Sequence, residues 1–275
     1  MKVESKVFAK VFFAALVFVC FVCLGSCKGK VPEGMTVSKG FLSIALEATY
    51  PPMEYISGDG KTPAGFDVEL GRVIARKLDL EPKLFDTIWD KIFLGLDDDK
   101  YDCVISSVTI NPARQMFYDF SKPYIANSLA MVIKKNSNIN VKSPEECYGL
   151  NVGFQTGTTA DEYMSELGDK GLEYNPRGLE NMIQCFNELY LDQVDVVLTD
   201  ILVAYEFVVR QGSPFALAWQ SDKEEKFGVC VKKGNSELLA AINKALDELW
   251  DDGTLLKISQ DTFGMDLITP AWNQF

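Results

Sequence analysis

Residues 101–124 combine short hydroxyl side chains with one arginine in a pattern that suits binding of a small carboxylate. The apolar residues 103–105 predict a strand that is buried on both faces. Ser106, Ser107 and Thr109 then place hydroxyl groups at the carboxyl end of this strand, where each can donate or accept a hydrogen bond. These residue types indicate a site for a polar small molecule.

A short helix is predicted directly after these hydroxyl groups. Asn111 suits the N-cap and Pro112 the first helical position, so Arg114 falls in the first turn. A cation is unfavourable there by about 0.3–1 kcal/mol, because the N-terminal end of the helix dipole is positive. A bound anion would remove this penalty, since free backbone N–H groups and a guanidinium can hold a carboxylate together. The alternative is a surface arginine paired with Asp119 or another nearby carboxylate.

Alternating strand and helix patterns surround this segment and must position it. The predicted strands cover residues 42–45, 82–85, 103–105, 128–133, 151–154, 172–174, 195–198 and 227–231. The predicted helices cover residues 66–78, 89–96, 179–191, 201–210, 236–250 and 255–263, with two more starting near Pro112 and Thr158. Such repetition predicts an α/β fold whose mainly parallel sheets are covered by helices on both faces.

Several separate motifs carry a resemblance to a known family. The segments GFDVELGRVIARKL (65–78) and LLAAINKALDELWDDGTLLKISQDTFGMD (238–266), with the arginine segment between them, resemble the bacterial solute-binding proteins of family 3. These are periplasmic amino-acid-binding proteins of ABC importers, and the resemblance runs from about Leu42 to the C-terminal region. It implies a two-lobed periplasmic binding protein type II fold, a hinged Venus-flytrap in which each lobe is a mainly parallel sheet flanked by helices.

The resemblance also implies lobe boundaries and a ligand site. Lobe 1 is expected at residues 41–126 and 221–275 and lobe 2 at 127–220, with hinge crossings near 125–128 and 219–226. The ligand would lie at the carboxyl ends of strands in both lobes. The predicted ligand contacts are Glu47, Tyr50, Trp89, Ser107, Thr109, Arg114, Gln155, Thr158, Thr159 and Asp200. In this family's pattern the arginine binds the ligand carboxylate and the aspartate binds its α-ammonium group.

Several of these residues also have a structural interpretation. Glu47 is consistent with a solvated loop acid and Tyr50 with a packed side chain. Trp89 is equally consistent with a core residue at the start of a helix. Thr158 and Asp200 each suit the N-cap of the helix that follows.

The charges of the predicted site indicate the side chain of the ligand. Arg114 contributes one positive charge, while Glu47 and Asp200 contribute one negative charge each. A basic amino acid such as lysine, arginine, ornithine or histidine would neutralise the excess in a site shielded from water. Cystine-binding members of the family also resemble this sequence around Glu47 and residues 87–89, so cystine or another polar amino acid is the alternative. Ala160 stands where basic-ligand members often carry a longer polar residue.

The amino terminus has the layout of a bacterial lipoprotein signal peptide. Three lysines precede an apolar run at residues 11–24, which is too short to span a bilayer, and residues 24–27 (LGSC) resemble a lipobox. Cleavage after residue 26 would leave a lipid on Cys27, followed by a flexible tether over residues 27–40. The protein is therefore expected in the periplasm or at the cell surface, anchored to a membrane.

Composition argues against several other functions. The formal net charge of −12 disfavours nucleic acid as a partner. The chain has no histidine and its cysteines lack metal-ligand spacing, so no metal, cofactor or catalytic residue is predicted. Cys103, Cys185 and Cys230 are expected in the core, and Cys147 is a further candidate.

The partners expected are an amino acid, an ABC importer permease and a membrane, with the protein itself a monomer. Two other function classes remain open. One is an enzyme similar to the dehydratases of cyclic carboxylates, with Glu47 as general acid. The other is a ligand-sensing lipoprotein.

Overall fold

The computed structural model of this protein describes residues 34–272 and has an α/β fold. The predicted signal peptide and Cys27 lie outside the described residues. The strands of the described chain are β1 (Phe41–Leu46), β2 (Thr49–Tyr50), β3 (Glu54–Ile56), β4 (Pro63–Ala64), β5 (Glu81–Asp86), β6 (Cys103–Val104), β7 (Tyr118–Lys134), β8 (Asn151–Gln155), β9 (Asn175–Leu179), β10 (Val196–Asp200) and β11 (Phe215–Lys232). The α-helices are α1 (Phe66–Lys77), α2 (Trp89–Asp97), α3 (Pro112–Phe117), α4 (Thr159–Asp169), α5 (Met182–Tyr190), α6 (Ile201–Val209), α7 (Ser236–Asp251), α8 (Thr254–Phe263) and α9 (Thr269–Trp272).

An eight-stranded sheet runs through the molecule in the order β5-β1-β6-β11-β7-β10-β8-β9. Strand β1 pairs in parallel with β5 and β6, and β8 pairs in parallel with β9 and β10. The long antiparallel strands β7 and β11 separate these two parallel groups. We call β5, β1 and β6 with their helices the first half of the molecule, and β10, β8 and β9 with their helices the second half.

Strands β7 and β11 carry the chain from the first half to the second and back. The crossings predicted near residues 125–128 and 219–226 lie inside these strands, and the pairing shifts register between Gln220 and Glu224. A bulge of this kind bends a strand locally. The use of these crossings as a hinge, and the lobe boundaries, stay predictions.

Burial of apolar side chains accounts for strand β1. In β1 every residue after Phe41 is buried, as expected for a strand that is covered on both faces. Helix α1 packs beside it and buries Phe66, Leu70 and Ile74 completely. The order of strands and helices therefore follows the periodicity of the sequence.

The strand predicted at residues 172–174 is wrong. The sheet instead ends with β9 at Asn175–Leu179, which pairs in parallel with β8. The first four residues of this edge strand are exposed, so it lacks the apolar pattern on which the prediction relied. Leu172 and Tyr174 pack against the core of the second half without joining the sheet. Helix α5 consequently begins at Met182, later than the predicted residue 179.

A second, three-stranded sheet was not predicted. Its antiparallel order is β2-β3-β4, and Tyr50 lies opposite Glu54 in it. Its strands have two or three residues each, which is too short for an alternating pattern to identify. The pairing of this small sheet holds the backbone of Tyr50 against that of Glu54.

Cys103, Cys147, Cys185 and Cys230 are buried and free, which confirms the prediction for the core. Within residues 34–272 no cluster of acidic and cysteine side chains is suited to hold a metal ion. The helices of the same range are all too short or too polar to cross a membrane.

Candidate functional site

All ten residues predicted as ligand contacts line one cleft between the two halves of the molecule. The cleft holds about 330 Å³ of space between atoms, open solvent included. From the first half it receives Glu47, Tyr50, Trp89, Ser107, Thr109 and Arg114, and from the second half Gln155, Thr158, Thr159 and Asp200. Glu54 and Ser106 complete the lining. Ligand contact by these residues stays a prediction.

Arg114 is positioned by the local sequence before it. Asn111 caps helix α3 by accepting a hydrogen bond from the Arg114 N–H at 2.8 Å, and Pro112 occupies the first turn as predicted. The guanidinium donates to the carbonyl oxygen of Thr109 at 3.1 Å and to that of Gly157, in the second half, at 3.3 Å. The arginine therefore spans the cleft.

The guanidinium of Arg114 rests on aromatic rings. Its central carbon lies 5.4 Å from the ring centre of Trp89 and 5.8 Å from that of Phe93. Asp119 is occupied elsewhere by Lys233 at 2.9 Å, so the alternative of an Arg114–Asp119 pair is wrong. Within residues 34–272 no carboxylate lies within ion-pair distance of the Arg114 guanidinium. Burial lowers the pKa of Arg114, and a bound anion would compensate this loss of solvent.

The start of helix α4 faces Arg114 from the second half. Gly157 has a φ of 74°, a left-handed conformation that glycine adopts without strain. Thr158 caps the helix by accepting from the Asp161 N–H, and its own hydroxyl donates to the Gln155 carbonyl at 2.7 Å. The structural interpretation of Thr158 as an N-cap is thus confirmed, and the same turn presents it to the cleft.

Asp200 lies at the end of β10 and directs its carboxylate toward the first half. One oxygen accepts from the Tyr50 hydroxyl at 2.5 Å and the other from the Asn127 side-chain amide at 2.6 Å. Asp200 occupies the N-cap position of α6, but its side chain makes no capping hydrogen bond. Burial, followed by the nearby charge of Glu225, raises the pKa of Asp200 to about 7.

Glu47 is buried at 4% exposure, so its interpretation as a solvated loop acid is wrong. Its carboxylate accepts from the Gln155 side-chain amide at 2.6 Å and from the Trp89 backbone N–H at 3.2 Å. Burial raises the pKa of Glu47 to about 7. Trp89 packs in the core of the first half, which confirms its structural interpretation, and it also donates its indole N–H to the Gly157 carbonyl at 3.2 Å.

Ser107 supports the wall of the cleft. Its backbone N–H, at 2.6 Å, and its hydroxyl, at 3.3 Å, donate to one carboxylate oxygen of the buried Asp67. Its φ of 50° is a left-handed conformation, which costs a residue other than glycine about 1–3 kcal/mol. The hydrogen bonds to Asp67 offset this strain. Both donors of Ser107, its N–H and its hydroxyl, are therefore already bonded within the protein.

A pair of buried acids lies behind this wall. Glu54 accepts from the Ser106 hydroxyl at 2.7 Å, and Asp67 accepts from the Tyr124 hydroxyl at 3.0 Å. Burial, followed by the nearby charge of Asp67, raises the pKa of Glu54 well above its ordinary value. Ser106 also accepts from the Glu47 N–H at 3.1 Å, which connects the pair to the cleft.

The sequence analysis missed Glu54 and also a further acidic residue of this region, Glu225. It lies in β11, is half-buried, and one of its oxygens approaches the hydroxyl groups of Thr109 at 3.4 Å and Thr159 at 3.2 Å. The same oxygen lies 3.4 Å from the Asn127 amide nitrogen. Residues 220–226 form a polar run that gave no signal of burial in the sequence.

The fold, the two long connecting strands and the polar cleft between the halves define a two-lobed periplasmic binding protein of type II. The chain belongs to the bacterial extracellular solute-binding proteins, family 3, whose family model matches residues 42–265.

Among characterised relatives, the chain is 32% identical to the L-cystine-binding protein TcyJ of Escherichia coli strain K12, over 88% of this chain and 91% of the relative. Among solved structures it is similar to an ancestral arginine-binding protein bound to arginine, with a TM-score of 0.77, 36% identity and coverage of 82% and 99%. It is also similar to AncCDT-1, an ancestral amino acid-binding protein described as a precursor of cyclohexadienyl dehydratase, with a TM-score of 0.75, 29% identity and coverage of 82% and 96%.

Proposed function

We propose that this protein is an extracytoplasmic receptor that binds a free amino acid in the cleft and delivers it to an ABC importer. The observation that carries the proposal is that Arg114 and the buried carboxylate of Asp200 line the same cleft from different halves of the molecule. Arg114 has no ion-pair partner in the described chain. A zwitterion could pair its carboxylate with Arg114 and its ammonium group with Asp200.

The carboxylate of the ligand would bind between Arg114 and the start of helix α4. Backbone N–H groups at a helix start favour anions, and Thr158 and Thr159 add hydroxyl groups there. The ammonium group would bind Asp200. Because these contacts come from both halves, they are complete only when the cleft is shut, so the ligand would favour the closed state.

We infer that the ligand is a basic amino acid of the lysine, arginine, ornithine and histidine class. Glu47 leaves a second negative charge in the cleft, which a cationic side chain between Tyr50 and Trp89 would balance. The similarity to an arginine-bound ancestral protein supports this choice. Cystine, the ligand named for TcyJ, is the alternative. Cystine has a second ammonium group, which would suit Glu47, but also a second carboxylate, and Arg114 is the only basic side chain among the described residues that line the cleft.

Calorimetry on the purified protein, stripped of bound ligand, tests this function. We expect saturable binding of at least one basic amino acid at a stoichiometry of one, with weaker binding of cystine and glutamine. If cystine alone bound, the proposed ligand would change from a basic amino acid to cystine, but the proposed function of an amino-acid receptor would stand. The absence of binding by any amino acid would reject the proposal.

A binding protein should release its ligand chemically unchanged. Incubation with prephenate or arogenate, followed by analysis of the products, tests the alternative of a dehydratase. We expect no turnover. Steady turnover that is lost in Glu47→Gln would favour the enzyme.

We also propose that the protein is a lipid-anchored monomer. The lipobox at residues 24–27 supports the anchor. Labelling with a palmitate analogue should mark the wild type and fail to mark Cys27→Ala. Light scattering of the purified protein should give the mass of one chain, and co-purification with a permease would distinguish an import receptor from a sensor.

A further inference from the structure

Glu225, on the crossing strand β11, lies beside the cleft and lines an adjoining cavity that shares Thr109 and Thr159 with it. Its carboxylate oxygen contacts one hydroxyl group from each half of the molecule, Thr109 at 3.4 Å and Thr159 at 3.2 Å. Both threonines line the cleft. The preceding residue, Glu224, is instead exposed and pairs with Lys226 at 3.4 Å. The two neighbours therefore differ in environment although they have the same side chain.

Glu225 and Asp200 share a single hydrogen-bond donor. The Asn127 amide nitrogen lies 2.6 Å from an oxygen of Asp200 and 3.4 Å from the oxygen of Glu225. Two carboxylates are thus held on either side of one neutral amide. Asn127 is 5% exposed, and its side-chain amide oxygen has no hydrogen-bond partner within the described chain. The group formed by Asp200, Glu225 and Asn127, which we call the acidic corner, has more hydrogen-bond acceptors than donors.

The acidic corner also brings two carboxyl groups close together. Burial and the charge of Glu225 raise the pKa of Asp200, whereas Arg114 lowers the pKa of both carboxylates and Lys223 lowers that of Glu225. Arg114 already donates to the carbonyl oxygens of Thr109 and Gly157. An ammonium group would add three hydrogen-bond donors and one positive charge to the two carboxylates and the unpaired Asn127 oxygen.

We infer that Glu225 is a second acidic contact for the α-ammonium group of the ligand, acting beside Asp200, and that it makes the site select for ligands that carry this group. The inference rests on the proposed function and adds a residue to that site. It assigns to β11 a direct part in ligand selection, in addition to its part in connecting the two halves.

A comparison of two ligands on two variants tests the inference. The variants are Glu225→Gln, which keeps the size and an acceptor oxygen, and Glu224→Gln, which removes the charge of the exposed neighbour. The ligands are arginine and 5-guanidinopentanoate, the same molecule with hydrogen in place of the α-ammonium group. Affinities are measured by calorimetry, with displacement titrations for the weaker ligand.

We expect Glu225→Gln to weaken arginine binding by on the order of tenfold or more, since a partly buried charge would be lost within a few ångströms of the ammonium group. Its affinity for 5-guanidinopentanoate should change by less than about twofold. Glu224→Gln should resemble the wild type with both ligands. Thermal unfolding of all three proteins establishes that each is folded.

Equal weakening for both ligands would overturn the inference, because it would mean that Glu225 acts on closure of the cleft and not on the ammonium group. Tighter arginine binding by Glu225→Gln would also overturn it, since Glu225 would then compete with the ligand carboxylate for the two threonines. If the wild type binds neither arginine nor another amino acid, the proposed function itself fails and the inference fails with it.

Discussion

Gln155 donates a hydrogen bond to Glu47 across the cleft, with 2.6 Å between the amide nitrogen and the carboxylate oxygen. The bond joins the end of β8 in the second half to the residue after β1 in the first. Glu47 is therefore both a contact between the halves and the acid that a cationic ligand side chain would meet. A ligand that reaches Glu47 must share this carboxylate with Gln155.

We predict that Glu47→Gln weakens the binding of lysine and arginine by about 1–3 kcal/mol, because a buried cationic side chain loses its charged partner. Binding of glutamine should change much less. Calorimetry with the three amino acids on wild type and variant measures the difference. A loss of the same size for glutamine would contradict the assignment of Glu47 to the ligand side chain.

Arg114→Ala should abolish measurable binding, with a loss of about 2–5 kcal/mol, the range for removing one partner of a buried charge pair. The fold should persist, because the two hydrogen bonds of the Arg114 guanidinium go to backbone carbonyls and its backbone N–H bond to Asn111 is kept in alanine. Arg210→Ala is the matched control, since that arginine is exposed and pairs with Glu206 on α6. Unchanged affinity of Arg114→Ala would reject its role as the carboxylate contact.

Ligand affinity should increase as pH rises from about 6 to 8. Burial raises the pKa of Glu47 and of Asp200 to about 7, so both carry a proton for part of the time in the free protein. A cationic ligand favours the ionised carboxylates, and binding therefore releases protons. Calorimetry in two buffers of different ionisation enthalpy measures the number released. Proton uptake, or an affinity that falls over this range, would contradict the prediction.

The unliganded fold should respond to pH in the opposite direction. A carboxyl group whose pKa is raised by folding binds more protons in the folded than in the unfolded state, between its ordinary pKa and the raised value. For Glu47 and Asp200 the free energy of unfolding should therefore fall as pH rises from about 4.5 to 7. Urea unfolding across this range measures the slope, and Asp200→Asn should make it shallower.

Gly65→Ala should destabilise the protein by roughly 2–4 kcal/mol. Gly65 has a φ of 121°, and a Cβ atom there would lie 2.3 Å from the carbonyl oxygen of Met53. That oxygen cannot move away freely, because it accepts from the N–H of Asp67 at 2.9 Å and so holds the start of α1. Urea unfolding gives the difference in free energy.

The control for this substitution is Gly58→Ala. A Cβ atom at Gly58 would have no neighbour within 4 Å, and the backbone there is not left-handed. We expect a change within about 0.5 kcal/mol. Similar losses for both variants would mean that the close approach of Gly65 to Met53 is not the cause.

Features that depend on neighbouring residues could be predicted from the sequence. Asn111 and Pro112 start helix α3 and place Arg114 on its first turn, because helix capping is decided within about four residues. The apolar run at residues 42–45 identified β1 for the same reason, since burial on both faces requires apolar side chains in succession. The family motifs identified the two-lobed fold and the residues that line the cleft.

The tertiary structure alone decided which of these residues meet. Tyr50 bonds to Asp200, and Glu225 bonds to Thr109 and Thr159, across separations that no local pattern reports. Edge strand β9 forms by pairing with β8, although its own side chains are mostly exposed. The sequence by itself thus determined the elements and the chemistry that each one carries. Which carboxylates are buried together, and hence their charge at neutral pH, was decided by packing, because desolvation depends on every neighbour in space and not on neighbours in the chain.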